Sequence, residues 1–289
     1  MTSPAISQSK TVERQPQYSA TVICGRYTEI TLTSLIAALR SVAPSSVMGD
    51  WQGPFTTPPT DALGTGMISV DGVSLTLLSV DKPLPPPFFG TGPIPNQLMP
   101  DPLQQLRNHR AHVSVMPIQL PQDGPTALAT ARAVTLLTLA VAIVTRAEAI
   151  KWTDSSNFVP VSLLQGCAAT LSPAGGMALP VWIRFLAGRA HGEQNIIAGT
   201  YGLWAFVVPE IEYAPTDLPV HYLLPHAYAV CEQIFRTGNG VKDGDTLDVD
   251  GKNVFEIEAL QPGFFGKTRA LRLSWIATST SFDPKRAKN

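Results

Sequence analysis

The chain opens its ordered part with a run of β-branched and apolar residues, Ala20 to Cys24, followed after Gly25 by Leu32, Leu35, Ile36 and Leu39 at i, i+3, i+4, i+7 spacing. That pattern predicts a strand and then an amphipathic helix that stops near Pro44. Val47 to Gln52 reads as a short strand ending at Trp51. Apolar runs at Met67–Val70 and Val73–Val80 flank Asp71-Gly72, a strong hairpin signal. Lys82 to Pro102 holds too many prolines for a helix or inner strand and predicts a surface segment covering the core; a polyproline ligand for an aromatic groove is the less favoured reading. A short helix, Leu103 to His109, leads to a strand at His112–Ile118.

The second half repeats the beginning in outline. A Pro-Gly loop leads to a long helix from about Thr126 to Glu148 and a strand, Ala149–Thr153, that again carries a tryptophan, Trp152. This hints at a duplicated strand–helix unit. A helix at Val161–Thr170, a loop at Ser172–Met177 and a strand at Leu179–Leu186 follow. The last third reads as the segment Gly199–Tyr213, a helix over Leu218–Arg236, a turn-rich stretch to Gly251, and strands at Val254–Ala259 and Arg269–Ile276. Strands and helices mix without a steady βαβ beat, so the fold class is α+β, mostly antiparallel sheets with helices on one face, built from two or three related strand–helix–hairpin units. The expected organisation is a disordered tail over 1–18, an N-terminal subdomain over 19–120, a C-terminal one over 121–280 and a flexible tail over 281–289.

Composition narrows the function. The 289 residues carry 21 Lys+Arg against 22 Asp+Glu, a formal charge of -1, so no net field favours nucleic acid or an anionic membrane as partner. Apolar residues make up 44% and charged ones 15%, which argues for a large folded core. The apolar stretch Ala133–Thr145, between Arg132 and Arg146, is too short for a membrane span and reads as a buried helix. Cys24, Cys167 and Cys231 have no CxxC spacing and read as buried apolar side chains in a reduced, cytoplasmic setting.

Candidate chemistry is sparse. His109/His112 and His221/His226 lack metal-ligand spacing, and no metal or other cofactor is expected. Asp243 to Gly251 resembles a calcium loop until position six, which is Asp248 where glycine is needed. Gly266-Lys267-Thr268 fails as a phosphate loop because Gln261 stands where the first glycine belongs. The sharpest pair is Glu210 and Glu212, which alternate along a strand onto one face and so bring two carboxylates together. The plainer reading makes them the polar face of a half-buried strand.

Gly199-Thr-Tyr-Gly202-Leu203, Pro209-Glu210-Ile-Glu212 and Asp243-Gly-Asp245-Thr246 resemble a bacterial family catalogued as domain of unknown function four-two-six-one, and His112–Val115 and Ile150–Ser155 are similar to its upstream region. The resemblance covers about Ala111 to Ile276. It implies no catalytic residue, and suggests a bacterial protein, some of whose relatives are encoded near secretion or toxin systems. The leading expectation is a non-enzymatic module that binds another protein, such as an immunity or chaperone-like partner of a secreted toxin, with Phe88 and Phe89 as exposed anchors. The alternative is a hydrolase or small-ligand binder using Glu210 and Glu212, with His191 or Arg189 nearby.

Overall fold

The computed structural model describes residues 15–46, 64–90, 96–171, 176–189, 195–237, 243–248, 253–260, 265 and 270–278. Two six-stranded sheets organise it. The first comprises β1 (Ala20–Cys24), β2 (Gly64–Val70), β3 (Val73–Val80), β4 (Ala111–Pro117), β5 (Ala149–Trp152) and β6 (Asn157–Pro160), in the order β2-β3-β4-β1-β5-β6, with every pairing antiparallel. The second comprises β7 (Arg184–Arg189), β8 (Ile196–Tyr201), β9 (Glu210–Thr216), β10 (Thr246–Leu247), β11 (Asn253–Leu260) and β12 (Ala270–Thr278), in the order β10-β11-β12-β9-β8-β7. Here only β12 and β9 run parallel. The fold is α+β.

The helices are α1 (Leu32–Val42), α2 (Pro102–Gln105), α3 (Gly124–Thr145), α4 (Val161–Ala168), α5 (Leu179–Trp182) and α6 (Val220–Thr237). Three times the chain runs strand, helix, antiparallel hairpin: β1-α1-β2-β3, β4-α3-β5-β6 and β9-α6-β10-β11, the last continuing into β12. In the first and third, the meander after the helix returns its final strand beside the opening one, giving β2-β3-β4-β1 and β10-β11-β12-β9. The return is antiparallel in one sheet and parallel in the other, so the two units share strand order and not direction. The Val47–Gln52 strand and Trp51 lie outside the described residues.

α3 lies at the centre. Thr126 and Asp123 cap its start reciprocally, and every residue from Ala133 to Ala142 is buried. An apolar helix leaves its hydroxyls little to bond with, and Thr135 and Thr145 turn inward to the backbone, while Thr138 Oγ1 is buried with no hydrogen-bond partner among the described residues. Thr135 Oγ1 donates to Ala131 O at 2.7 Å while accepting from Trp182 Nε1 at 2.8 Å, and Thr145 Oγ1 donates to Val141 O at 2.8 Å. The helix is longer than the apolar stretch between its arginines. At 22 residues it is long and apolar enough to cross a membrane, which corrects the expectation from Ala133–Thr145 alone. Here 72% of its most apolar window is buried inside the protein. Arg132 does not end the helix: its Nε reaches out to Gly176 O at 3.0 Å.

Four expectations change. First, one core cluster runs through both sheets, and the first sheet draws on the chain as far as Pro160. A division at 120/121 would part β5 from β1, with which it pairs. Second, the tail assigned to 1–18 ends earlier, because the Gln17 and Tyr18 N–H groups both donate to the Asp154 carboxylate at 2.8 Å and the Tyr18 ring is buried against Phe206. Third, Leu179–Leu186 is not one strand: Pro180 begins the helical turn α5, and the strand starts only at Arg184.

Fourth, Phe88 and Phe89 are not exposed anchors. They sit in a 3-10 turn, Pro86–Phe89, that folds onto the face of the first sheet away from α3. Phe89 is buried, stacks on Phe158 at 5.8 Å and meets His109 edge-on; Phe88 is half-buried against both phenylalanines. His109 holds the turn's approach: its Nε2 accepts from Leu84 N and its Nδ1 donates to Leu106 O, both at 2.7 Å. Leu84, Met99 and Leu106 complete this second cluster over Ile23 and Ala149. The proline-rich segment thus covers core, as its composition implies. Truncating Phe89 to Ala should cost about 3–5 kcal/mol by opening that cluster, read as a lower urea midpoint at unchanged m-value.

Candidate functional site

β9 is an inner strand of the second sheet, and its side chains alternate. Ile211 and Tyr213 face α6, where Tyr213 Oη lies 2.6 Å from His226 Nδ1 and the ring meets Phe255 edge-on. His226 is buried and His221 exposed on that helix, so they share no face. Glu210 and Glu212 point the other way, as the alternation predicts, and both are buried, at 3% and 2% exposure. This differs from the polar face of a half-buried strand: the carboxylates are enclosed by chain that folds back over them.

Glu210 is enclosed by the residues just before it. β8 ends at Tyr201, Gly202 adopts φ +125°, and a 3-10 turn over Leu203–Phe206 leads back to β9. The Glu210 carboxylate gathers the donors this turn leaves over: Oε1 accepts from Gly202 N at 2.8 Å and Trp204 N at 3.2 Å, and Oε2 from Thr200 Oγ1 at 2.8 Å. The same Thr200 oxygen accepts from Ile211 N at 2.9 Å. The carboxylate thus does for the turn what a capping residue does for a helix. Burial nevertheless pushes its carboxyl above the ordinary carboxylate value, against hydrogen bonds that favour the ionised form.

The glycines of this stretch have steric reasons. A Cβ on Gly202 would stand 2.8 Å from both Ser155 Cβ and Trp182 O, where the turn meets the first sheet and α5. One on Gly199 would stand 2.7 Å from Ile211 O and 3.1 Å from both Glu212 Cγ and the Phe265 ring. Gly199 therefore makes the space that Glu212 and Phe265 share. Phe265 N donates to Glu212 Oε1 at 3.0 Å, while Glu212 Oε2 is buried with no hydrogen-bond partner among the described residues.

The structure does not gather the other candidates here. Arg189 is exposed at the end of β7, and His191 lies outside the described residues. Cys24 and Cys231 are buried, and their thiols are pushed up by burial, which leaves them poor nucleophiles. Cys167 is half-buried rather than buried. The Asp243 to Asp248 stretch forms turns, with Gly244 N donating to Ile257 O at 2.8 Å and Ile257 N to Asp245 O at 2.9 Å, and leads into the β10–β11 pairing. Among the described residues, no group of three or more His, Cys, Asp or Glu side chains is arranged to hold a metal ion.

Two residues with structural weight went unremarked in the sequence. Asp154 ties the start of the ordered chain to the β5–β6 turn, and Asn157 Nδ2 donates to Pro180 O at 2.8 Å and Val181 O at 3.3 Å while its Oδ1 accepts from Asn96 at 3.0 Å. Both serve backbone distant in the chain, so no local pattern announces them.

Replacing Glu210 by Ala should cost about 2–4 kcal/mol, since the Gly202, Trp204 and Thr200 donors lose their acceptor. Gln keeps the shape without the charge. A carboxyl raised on folding stabilises most below its unfolded value, and that contribution is lost as the pH rises through the folded value. The Gln variant should therefore gain on the parent as the pH rises above the ordinary carboxylate value in urea titrations. A difference constant above that value would contradict a raised carboxyl.

No curated protein and no solved structure matches the chain. A family match covers residues 199–274. It begins at the glycine beneath Glu212, spans the Glu210 turn, α6 and most of the β10–β12 meander, and is narrower than the Ala111 to Ile276 expected; His112–Val115 and Ile150–Ser155 lie outside it. The family that the chain matches over those residues is described as a Domain of unknown function (DUF4261).

Proposed function

We propose that the protein is a non-enzymatic module that binds another protein, through the turn that Glu210 holds. The observation that carries this reading is Val207. It follows the 3-10 turn in left-handed backbone, φ 61°, and is 81% exposed. A β-branched residue is strained there, and an apolar one so exposed leaves most of its surface unpacked by the described residues. Glu210 fixes the turn from below by accepting from the Gly202 and Trp204 backbone N–H groups, so the display of Val207 is rigid. Rigid apolar display suits contact with a partner surface, where little ordering entropy remains to be lost. An immunity or chaperone-like role beside a secreted toxin, in a cytoplasmic setting, is the biological form this reading takes.

The runner-up, a hydrolase or small-ligand binder using the carboxylate pair, is favoured by one atom, the unpartnered Glu212 Oε2. Glu210 does not favour it, since its oxygens are engaged by the turn. Affinity capture of the tagged chain from its native host should recover a partner in about 1:1 ratio, and Val207→Asp should reduce that recovery about tenfold or more while the urea midpoint stays put. Recovery of no stoichiometric partner, or recovery indifferent to Val207→Asp, overturns the proposal.

A further inference from the structure

We propose that the residues entering β1, Gln17 to Ser19, form a strap whose seating sets whether the Val207 turn is held ready for a partner, with Tyr18 as the positioning residue and Asp154 as the anchor. This regulation presupposes Val207 as a contact residue and acts on that same surface. The anchor end lies on the first sheet. Asp154, in the turn between β5 and β6, accepts from the Gln17 and Tyr18 N–H groups at 2.8 Å. Beside it Ser19 and Thr153 are joined twice, Thr153 N donating to Ser19 O at 2.9 Å and Ser19 Oγ to Thr153 Oγ1 at 2.8 Å. Tyr18 itself sits in left-handed backbone, φ 46°, which a bulky residue keeps only where its surroundings over-determine it.

The other end lies on the second sheet. The Tyr18 ring meets Phe206 edge-on at 5.7 Å, and its hydroxyl donates to Ala205 O. Burial first, and the Asp154 charge second, push that hydroxyl up, so it stays protonated and donates. The turn's own backbone bonds use the Gly202, Leu203 and Trp204 carbonyls, which accept from the Ala205, Val208 and Val207 N–H groups. Ala205 O falls beyond these bonds, where the turn ends, and Tyr18 supplies its donor. Two clamps therefore divide the turn. Glu210 takes the N–H groups of Gly202 and Trp204 at its start, and Tyr18 takes the carbonyl and ring at its end, next to Val207.

The strap can leave its seat without dismantling either sheet. β1 begins to pair at Ala20, with Val115 on one side and Trp152 on the other, so Gln17 to Ser19 lie just outside both ladders. Seated, the strap ties the turn of the second sheet to the β5–β6 turn of the first, through contacts 136 and 187 residues apart in the chain. Unseated, it frees Ala205 to Val207 while Glu210 keeps Gly202 and Trp204. A contact residue whose backbone is no longer fixed must be ordered on binding, and that entropy is subtracted from the affinity. Tyr18 is buried, so it acts on Val207 through the turn and not by touching a partner.

The test measures residue-resolved amide exchange on the full chain by NMR for the parent, Tyr18→Phe and Asp154→Asn, with the α3 amides of Leu136 to Val141 reporting global opening. Tyr18→Phe keeps the ring on Phe206 and removes only the donor to Ala205 O. The Val207 and Val208 amides should then exchange about five- to tenfold faster, while the Gly202, Trp204 and α3 amides change less than about twofold. Asp154→Asn weakens the anchor and should act the same way; Tyr18→Phe decides alone where that variant does not fold. Val207 and Val208 amides that stay unmoved, or that rise only in step with α3, overturn the strap. Affinity capture from the native host should recover about five- to tenfold less partner with Tyr18→Phe than with the parent. A loosened turn with undiminished recovery overturns the control on binding, provided Val207→Asp still loses the partner. Recovery indifferent to Val207→Asp instead overturns the reading of Val207, and exchange still decides the strap.

Discussion

A helix that is apolar on every side must be enclosed on every side, and the architecture follows from enclosing α3. The first sheet takes one flank, α1 and α4 lie alongside, and the Leu203–Phe206 turn of the second sheet closes over what remains. Neither sheet does this alone. That is why the core is continuous across a chain whose strands divide into two separate sheets, and why the junction residues Trp152, Trp182 and Phe206 meet in series as tilted ring pairs between them.

The same junction explains where polar groups were buried. Asp154 fastens the start of the ordered chain, Asn157 fastens α5 to β6 and to Asn96, and Glu210 fastens the turn that reaches α3. Each is a side chain supplying acceptors or donors to backbone that cannot find partners in a sheet or helix, and each is nearly fully buried. Asp154 and Glu210 are both raised by that burial, the cost of using a carboxylate as an internal clamp. Glu210 thus looks like catalytic machinery in the sequence and like a clamp in the structure.

Periodicity, turn chemistry and proline content determined a good deal alone. The Asp71-Gly72 hairpin formed with both residues at positive φ, α1 and α6 followed their apolar spacing, and the proline-rich segment covered core. These features are local: a period, a turn residue or a missing N–H acts within a few residues of itself. The alternation of Glu210 and Glu212 belongs here too, since strand parity fixed their common face.

Tertiary structure alone decided what those residues meet. Whether Phe88 and Phe89 face water or Phe158 depends on a strand some seventy residues on. Glu210 became a clamp because Gly202 turns the chain back over it, and Lys151 came to lie against Phe88 and Phe158 because the proline-rich segment folds onto β5 and β6. The sequence settled which residues were apolar, paired or bent; burial and charge environment are properties of long-range neighbours, and they appeared only when the sheets closed around α3.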